Sequence, residues 1–258
     1  MSVVEPEPKW RQIAHLLRSV IVAGEYGPGA ALPGEAVLAE RYGVKRPAIR
    51  QALALLQAEG LIYAEHGRGT FVRERRQLLH HGTARYDRTG RAPGQSAFEA
   101  EVGRVEPTAP TRRELTAVEE VPAPLEAATR LGLAEDEPVV VRRHVFWLGE
   151  DPVQLLLAYY PVNLARGTTL AEVKSTPSGV HAYLEDELGY RLTRAAEDVE
   201  ARMPTPDETQ LLRLLPGVPV LGVWRTRYAG ERPLEAALQL FPGDRWRLGY
   251  ETPIGRRG

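Results

Sequence analysis

A glycine between two short amphipathic segments constrains this chain more than any other feature. Gly43 follows Leu38 and Tyr42, which are spaced as on a helix, and glycine readily takes the left-handed conformation that ends a helix. Three residues later a second helical pattern begins at Arg46. Its apolar stripe comprises Ile49, Ala52, Leu53 and Leu56. Two helices joined in this way are predicted to form a helix-turn-helix.

The second of these helices presents cations near its N-terminus. Arg46 and Arg50 are four residues apart and therefore share one face, and Pro47 is tolerated because a first-turn amide has no partner within the helix. Two predicted strands, residues 61–64 and 70–72, then flank a glycine-rich tip. The pattern is that of a winged helix-turn-helix, whose second helix can enter a DNA major groove, and it predicts a DNA-binding regulator.

The residues that carry this pattern resemble a known family. The run LPGEAVLAERYGVKRPAIRQALALLQAEGLIYAEHGRGTFV, with the helix before it, is similar to the N-terminal domain of GntR-type bacterial transcription regulators. The resemblance implies that Arg46 and Arg50 contact bases and phosphates, that Glu35 orients them, and that Gly67 lets the wing approach the minor groove. The DNA-binding residues predicted on this basis are Glu35, Lys45, Arg46, Ala48, Arg50, His66, Gly67 and Arg68.

Three positions depart from the family pattern. Gly34 stands at the position of a serine N-cap, Ala36 replaces an arginine, and Lys45-Arg46-Pro47-Ala48 replaces Ser-Arg-Thr-Thr. A glycine N-cap costs only a few tenths of a kcal/mol, so the fold should survive. Two hydroxyl contacts to phosphate are lost, and Lys45 is expected to restore one of them as a charge. The operator sequence therefore cannot be copied from relatives.

Composition and charge set the outer bounds. The chain has 258 residues, 43% of them hydrophobic and 26% charged, which suits a globular protein of two domains. Residues 1–76 contain eleven Lys or Arg against eight Asp or Glu, whereas the remainder is net acidic. Because the N-terminal domain is basic and the second domain is acidic, only the first is expected to bind DNA phosphates. The sequence contains no cysteine and no apolar run long enough to span a membrane; no signal peptide is predicted, and a cytoplasmic location is expected.

A segment poor in apolar periodicity separates the two predicted domains. We expect a DNA-binding domain at residues 1–76, a linker at 77–96, an effector-binding domain at 97–250 and a tail at 251–258. His80 and His81 in the linker suggest a metal site, but no third ligand lies nearby in the sequence. No metal or cofactor is therefore predicted.

Beyond the linker the pattern changes to alternating strands with a few helices. Strands are predicted at residues 97–105, 111–121, 138–148, 153–160, 194–203, 218–228, 233–241 and 245–250, the last as an edge strand. Helices are predicted at residues 124–131, 179–188 and 207–215, with Thr205 as the cap of the third. These elements predict an α+β domain around an antiparallel sheet.

The order of these elements is similar to the UTRA effector domain of the HutC-type branch of the GntR family. The resemblance is carried by segments such as DPVQLLLAYYPVNL and GVHAYLEDELGYRLTRAAEDVEARMPT, and it covers roughly residues 98–250. It implies a fold resembling chorismate lyase, a small ligand between the sheet and its covering loops, and dimerisation through the sheet. By position, the polar side chains expected in the pocket are Arg142, His144, Tyr159 and Glu235.

Each of these four pocket residues also has a plainer interpretation. Arg142 and His144 alternate on a strand and would then face solvent, Tyr159 would belong to the core, and Glu235 would pair with Arg232. The sequence leaves these alternatives open.

Two departures in the second domain bear on the ligand. Leu156-Leu157-Ala158 and Ala237-Leu238-Gln239 stand where relatives carry Glu-Arg-Ser and Ser-Arg-Ser, which bind anions in the family. Without those groups we expect an apolar cavity beside Leu156, Ala158 and Ala237, because a site without donors cannot offset the desolvation of a charged ligand. The sequence therefore predicts a weakly polar effector or no effector.

The combined prediction is a sequence-specific transcription regulator. It would bind an inverted-repeat operator as a homodimer and would be a repressor released by a small-molecule effector. One alternative is a regulator that ignores small molecules. The other is an enzyme on a lyase-like fold, but no Ser/His/Asp set, paired carboxylates in an apolar context or metal-ligand spacing supports it, so no enzyme activity is predicted.

Overall fold

Two units make up the chain. A computed structural model describes residues 7–73, 78–82, 95–174, 176 and 179–251. One unit consists mainly of Met1–Arg76, and the other contains most of the remaining residues. Within the described residues no helix has the length and apolar character needed to span a membrane.

The first unit has three helices followed by a hairpin, as predicted. Helices α1 (Lys9–Val22), α2 (Glu35–Arg41) and α3 (Arg46–Ala58) precede strands β1 (Ile62–Glu65) and β2 (Gly69–Val72), which pair antiparallel. This is the winged helix-turn-helix architecture, and the sequence pattern alone predicted it.

The turn between α2 and α3 depends on one glycine and one hydrogen bond. Gly43 has a φ of 62°, the left-handed conformation expected of it, and the Val44 amide donates to the Ala39 carbonyl at 3.0 Å. The predicted stripe of α3 is buried in the core of this unit. Burying a leucine or isoleucine side chain fully stabilises the fold by about 1.5–3 kcal/mol. Because α3 buries its apolar stripe against the rest of this core, that packing fixes the orientation of the helix.

The second unit is built on a six-stranded antiparallel sheet with strand order β4-β5-β6-β9-β8-β7. Its strands are β4 (Thr111–Pro122), β5 (Pro138–Leu148), β6 (Asp151–Pro161), β7 (Arg194–Arg202), β8 (Val220–Ala229) and β9 (Arg232–Pro242). The predicted hairpins β5–β6 and β8–β9 are both confirmed, and β6 lies beside β9 at the centre of the sheet.

Short helices cover the sheet. They are α5 (Leu125–Leu131), α6 (Val162–Ala165), α7 (Gly179–Ala182) and α8 (Pro206–Leu211), with a 3₁₀ turn at Thr169–Ala171 and a π-helical turn at Tyr183–Glu187. The helix predicted at residues 207–215 ends early, because Arg213 takes a φ of 48°. Its predicted cap is confirmed, since the Thr205 hydroxyl accepts from the Glu208 amide at 3.3 Å.

The strand predicted at residues 97–105 is wrong. This segment is helix α4 (Ala97–Gly103), and Ser96 and Glu99 form a reciprocal capping box at its start. Phe98, Glu101 and Val102 are buried, and burial at positions i, i+3 and i+4 is a helical rather than an alternating pattern. The Ser-x-x-Glu signature was visible in the sequence and indicates a helix start.

Two further predictions need correction around the linker. Residues 245–250 were expected to form an edge strand of the sheet, but β10 (Trp246–Gly249) pairs in parallel with β3 (Leu78–His81) in a separate two-stranded sheet. Strand β3 lies within the predicted linker and buries Leu78 and His80, so this part of the linker is folded. Most of the predicted linker and residues 252–258 of the tail lie outside the described residues.

Candidate functional site

The N-terminal end of α3 presents several of the predicted DNA-binding residues. Lys45 occupies the N-cap position, Arg46 begins the helix, and both side chains are exposed, whereas Ala48 is half-buried. Within the part of the chain that the structure describes, no ion pair involves Lys45 or Arg46. A helix N-terminus carrying exposed cations favours contact with phosphates and with base edges.

Arg50 is held in place by Glu35. Its Nε atom donates to both carboxylate oxygens of Glu35, at 2.9 and 3.2 Å, and its side chain is 65% exposed. Because the recorded bonds use Nε, both Nη groups remain available for a two-pronged contact with a base or phosphate. The geometry fits the orienting role predicted for Glu35.

The wing tip carries the remaining predicted residues. Gly67 has a φ of 74°, and His66 and Arg68 beside it are exposed. Arg68 pairs with Glu65, and its guanidinium lies 5.7 Å from the ring centre of Phe71. Contacts with these two neighbours give the Arg68 side chain a defined position at the tip.

In the second unit, most of the predicted effector residues share one face of the sheet. Alternation along β5, β6 and β9 places Arg142, His144, Leu156, Ala158, Glu235 and Ala237 on that face. One row runs straight across four strands: Arg142 is opposite Ala158, Ala158 is opposite Ala237, and Ala237 is opposite Arg225. We call this side of the sheet the effector face.

Tyr159 is not on the effector face. It follows Ala158 on β6 and therefore points to the opposite side, where it stacks on Trp224 with ring centres 6.1 Å apart. Leu238 also lies on that opposite side, because it follows Ala237. The alternative that Tyr159 belongs to the core is the correct one, and burial raises its pKa.

Glu235 is the centre of a buried charge cluster. Its carboxylate accepts from the Tyr160 hydroxyl at 2.8 Å, from Arg225 at 3.0 Å and from Arg227 at 2.6 and 2.7 Å. Burial acts against ionisation, but Arg227 and Arg225 lower the pKa of Glu235 to about 2. The alternative partner Arg232 is wrong, because that residue lies over the Tyr190 ring.

Arg142 is fully buried and binds backbone. Its guanidinium donates to four carbonyl oxygens within residues 169–174, at 2.5–2.9 Å. The alternative of a solvent-facing Arg142 is therefore wrong. Burial lowers its pKa from the ordinary value for arginine, which reflects the cost of placing a cation in this interior.

His144 is buried beside these arginines. Only 3% of the residue is exposed, and its Nδ1 atom has no hydrogen-bond partner. Burial, and then the charges of Arg113 and Arg142, lower its pKa to about 3, so the ring is neutral at physiological pH. A neutral imidazole offers one donor and one acceptor.

The effector face combines the expected apolar residues with charged ones: Ala158 and Ala237 belong to an apolar cluster, and Leu156 packs against it. Ala158 and Ala237 lie between Arg142 and Arg225, and Arg113 faces the same side from β4. Sequence reasoning did not identify Arg113, Tyr160, Arg225 or Arg227. The alternation in Trp224-Arg225-Thr226-Arg227, which puts two arginines on one face of a buried strand, is a signal that could have found the last two.

Two other features take no part in this face. A surface cavity of about 430 Å³ contains none of the predicted effector residues; it is lined by Glu137, Pro138, Pro161, Val162, Asn163 and Arg166. His80 is buried with its Nδ1 atom 3.2 Å from a Glu101 oxygen. No cluster of three metal-binding side chains occurs in the described ranges.

Family models match both parts of the chain. Residues 9–72 match the model for bacterial regulatory proteins of the gntR family, and residues 109–247 match the model for the UTRA domain. The first match contains the helices and the wing, and the second contains all six strands of the main sheet.

Similar proteins extend over the whole chain. An uncharacterized HTH-type transcriptional regulator of Streptomyces coelicolor is 32% identical, over 96% of this chain and 93% of its own. The histidine utilization repressor of Pseudomonas aeruginosa is 31% identical, over 94% of this chain and 90% of its own. The transcriptional repressor NagR of Bacillus subtilis is 28% identical, over 93% of this chain and 93% of its own.

Solved structures agree with this assignment. A crystal structure of a GntR-family transcriptional regulator matches with a TM-score of 0.66 and 29% identity, covering 96% of this chain and 99% of the other. PhnF from Mycobacterium smegmatis, at 21% identity and a TM-score of 0.58, has the same fold over 94% of this chain and all of its own. The chain therefore belongs to the GntR family, in its HutC-like branch, as a DNA-binding transcription regulator with a UTRA domain.

Proposed function

We propose that this regulator is a repressor that reads its operator through Arg46, Ala48 and Arg50 at the start of α3. The observation that carries the proposal is the arrangement at that end of the helix: Arg46 is exposed, and Arg50 is held by Glu35 with both Nη groups available. Lys45 and the wing residues His66, Gly67 and Arg68 would contact the backbone and the minor groove. Contacts with the DNA backbone position the protein, whereas two-pronged hydrogen bonds from an arginine guanidinium to a base edge would recognise the sequence.

The same proposal includes a homodimer on an inverted repeat. One α3 helix offers few side chains to base edges, and two copies related by a twofold axis double the number of contacts. Sedimentation at micromolar concentration should give a dimer, and the footprint should have twofold symmetry. A monomer with an asymmetric footprint would contradict this part of the proposal. Since the ligand is chromosomal DNA, we expect the protein in the cytoplasm.

Operator binding tests the DNA-reading residues. An operator is first selected from random duplexes with the purified protein, and affinity is then measured by fluorescence anisotropy at fixed salt. Arg46→Ala and Arg50→Ala should each cost about 1–3 kcal/mol and relax base preference at one position per half-site. The matched control is Arg191→Ala, which removes an exposed arginine of the second unit. Normal affinity for both variants would refute the assignment.

We further propose that a small anionic molecule binds on the effector face and changes operator affinity. Four arginines face this side; Glu235 binds two of them, the charge of Glu99 acts on Arg113, and Arg142 is bound by carbonyl oxygens. A buried cation such as Arg142 is stabilised by an anion, and His144 beside it supplies a neutral polar contact. The arginines lie beside the apolar cluster that contains Ala158 and Ala237, with Leu156 packed against it, and their charge is the reason why the proposed ligand is charged.

Thermal denaturation with a panel of carboxylates, phosphates and sugar phosphates tests the effector proposal. A ligand at 100 times its dissociation constant adds about 2.7 kcal/mol of stability. The same ligand should alter operator affinity by roughly 5- to 150-fold, the usual range of allosteric coupling. If only uncharged compounds stabilise the protein, the anionic class is wrong. If a stabilising anion leaves operator affinity unchanged, the regulatory part is wrong.

A further inference from the structure

Residues 169–174 form a strap that one buried arginine holds against the effector face. Arg142 Nη1 donates to the carbonyl oxygens of Thr169, Leu170 and Glu172 at 2.8–2.9 Å, and Nη2 donates to that of Lys174 at 2.5 Å. One side chain therefore ties down four peptide groups of a six-residue segment.

The Arg142 charge has only neutral partners. In the described part of the chain no carboxylate lies within ion-pair distance of its guanidinium, and the acceptors recorded for it are the four carbonyl oxygens of the strap. A buried cation is better stabilised by an anion than by dipoles alone. The carbonyl oxygens therefore occupy positions that the oxygens of a carboxylate or phosphate would fill more favourably.

The strap has further attachments at its ends: Leu170 packs in an apolar cluster with Leu164 and Leu184, and the carbonyl of the buried Thr176, just beyond the strap, accepts from Arg113 at 2.6 Å. The side chains of Glu172, Val173 and Lys174 are exposed, with Val173 at 76%, whereas Leu170 is fully buried. At the other end the Thr169 amide donates to the Tyr183 hydroxyl at 3.0 Å, at the start of the π-helical turn. Residues 171–174 have exposed side chains and little buried apolar surface, so this part of the strap opens at a low free-energy cost once its polar ties are released.

The effector face is closed beneath this cover. Arg142 is 0% exposed, His144 is 3% exposed and Glu235 is 1% exposed. A dissolved molecule can reach these groups only after part of the cover has moved. Because Arg142 holds the strap and also faces the proposed ligand, it connects the two events.

We propose that the strap is a lid latched by Arg142, and that an anionic effector opens it by replacing the four carbonyl oxygens on the guanidinium. This inference rests on the proposed effector site. It adds that the apo protein uses its own backbone as a competing ligand. Effector binding then releases residues 169–174, and this local conformational change couples effector binding to the rest of the protein.

Cleavage after Lys174 reports directly on the latch. The chain contains three lysines, Lys9, Lys45 and Lys174, so a lysine-specific protease has three sites in it. The Lys174 carbonyl, part of the scissile bond, is bound to Arg142 in the closed state. Arg142→Gln removes the latch without adding a lysine and should speed cleavage at Lys174 by at least about tenfold relative to the Lys9 and Lys45 sites.

Two further variants complete this experiment. Arg143→Gln is the matched control, because its side chain points to the opposite face of β5, and it should leave the rate unchanged. Tyr183→Phe removes the hydrogen bond to Thr169 and keeps Arg142, so it loosens the other end of the strap and should also speed cleavage. This variant provides the test if Arg142→Gln does not fold. Unchanged cleavage at Lys174 in folded Arg142→Gln, or in Tyr183→Phe if Arg142→Gln does not fold, would overturn the latch.

Inorganic phosphate tests the competition in the wild-type protein. Compared with sodium chloride at equal ionic strength, phosphate should speed cleavage at Lys174 and should have no such effect on Arg142→Gln. Absence of acceleration in the wild type would overturn release by anions. The outcome is separable from the proposed function: an anion that stabilises the protein and changes operator affinity without affecting Lys174 would keep the effector proposal and refute the lid.

Discussion

Arg50 on α3 and Glu35 on α2 are joined through a single atom, Nε of the arginine, which lies 2.9 Å from one carboxylate oxygen and 3.2 Å from the other. The pair spans the two helices of the helix-turn-helix. It fixes the direction of a side chain that is still 65% exposed. A surface ion pair of this kind contributes little to stability, so its value lies in orienting the guanidinium before DNA arrives.

Replacing Glu35 should therefore affect binding more than folding. We expect Glu35→Gln to weaken operator binding by about 3- to 10-fold, less than Arg50→Ala, because the guanidinium remains but samples more orientations. The free energy of unfolding should change by less than about 1 kcal/mol. Anisotropy with operator and with random duplex measures the effect, and Glu40→Gln on the exposed side of α2 is the control. Equal affinities for wild type and Glu35→Gln would show that orientation is unimportant.

Lys45 should act as a phosphate contact without base preference. Lys45→Ala is expected to weaken binding to operator and random duplexes to a similar extent, and to reduce the slope of log affinity against log salt by about 0.9. Titrations at several salt concentrations measure that slope. Lys9→Ala removes an exposed lysine at the start of α1 and should keep the wild-type slope. A loss confined to the operator would instead assign Lys45 to base reading.

Glu235 should be indispensable to the second unit. Glu235→Gln leaves Arg225 and Arg227 in the interior without this carboxylate, and breaking such a buried pair costs about 3–5 kcal/mol. Urea unfolding followed by tryptophan fluorescence suits the test, because Trp147, Trp224 and Trp246 all belong to this unit. Glu231→Gln in the exposed β8–β9 turn should be neutral. A loss below about 1 kcal/mol would contradict the view that Glu235 neutralises the cluster.

His144 should make stability depend on pH. Its pKa is about 3 in the folded protein and near 6.5 when unfolded, so the unfolded chain binds the extra proton and stability falls as pH falls from 6.5 towards 3. Between pH 7 and pH 5 the loss should be about 2 kcal/mol. Glu235, with a folded pKa of about 2, adds its own loss only below its ordinary pKa.

The His144 contribution is isolated by difference. Urea unfolding at pH 7 and pH 5 should give a smaller drop for His144→Gln than for the wild-type protein. His66→Gln, which changes an exposed histidine at the wing tip, should behave as the wild type. An identical pH dependence in His144→Gln and wild type would show that the ring is not held neutral by burial.

Local patterns were sufficient for the first unit. Gly43, the four-residue spacing of Arg46 and Arg50, and the apolar stripe of α3 act over at most a few turns of helix, so they could be recognised without knowing what packs against them. The hairpins of the second unit were equally visible, because alternation and turn residues are also local. The error at residues 97–105 arose from overlooking a local signal, the Ser96–Glu99 capping box, rather than from a tertiary effect.

The chemistry of the effector face depended on the tertiary structure. Alternation along a strand puts neighbours such as Ala158 and Tyr159 on opposite sides, although both were predicted in one pocket; alternation could not say which side would be covered by residues 169–174 or lined by arginines. Arg142 binds peptides 27 to 32 residues away, and Glu235 binds a tyrosine 75 residues away. Such partners meet only when the strands have been ordered in the sheet, because a buried charge is satisfied by whatever group the fold brings to it.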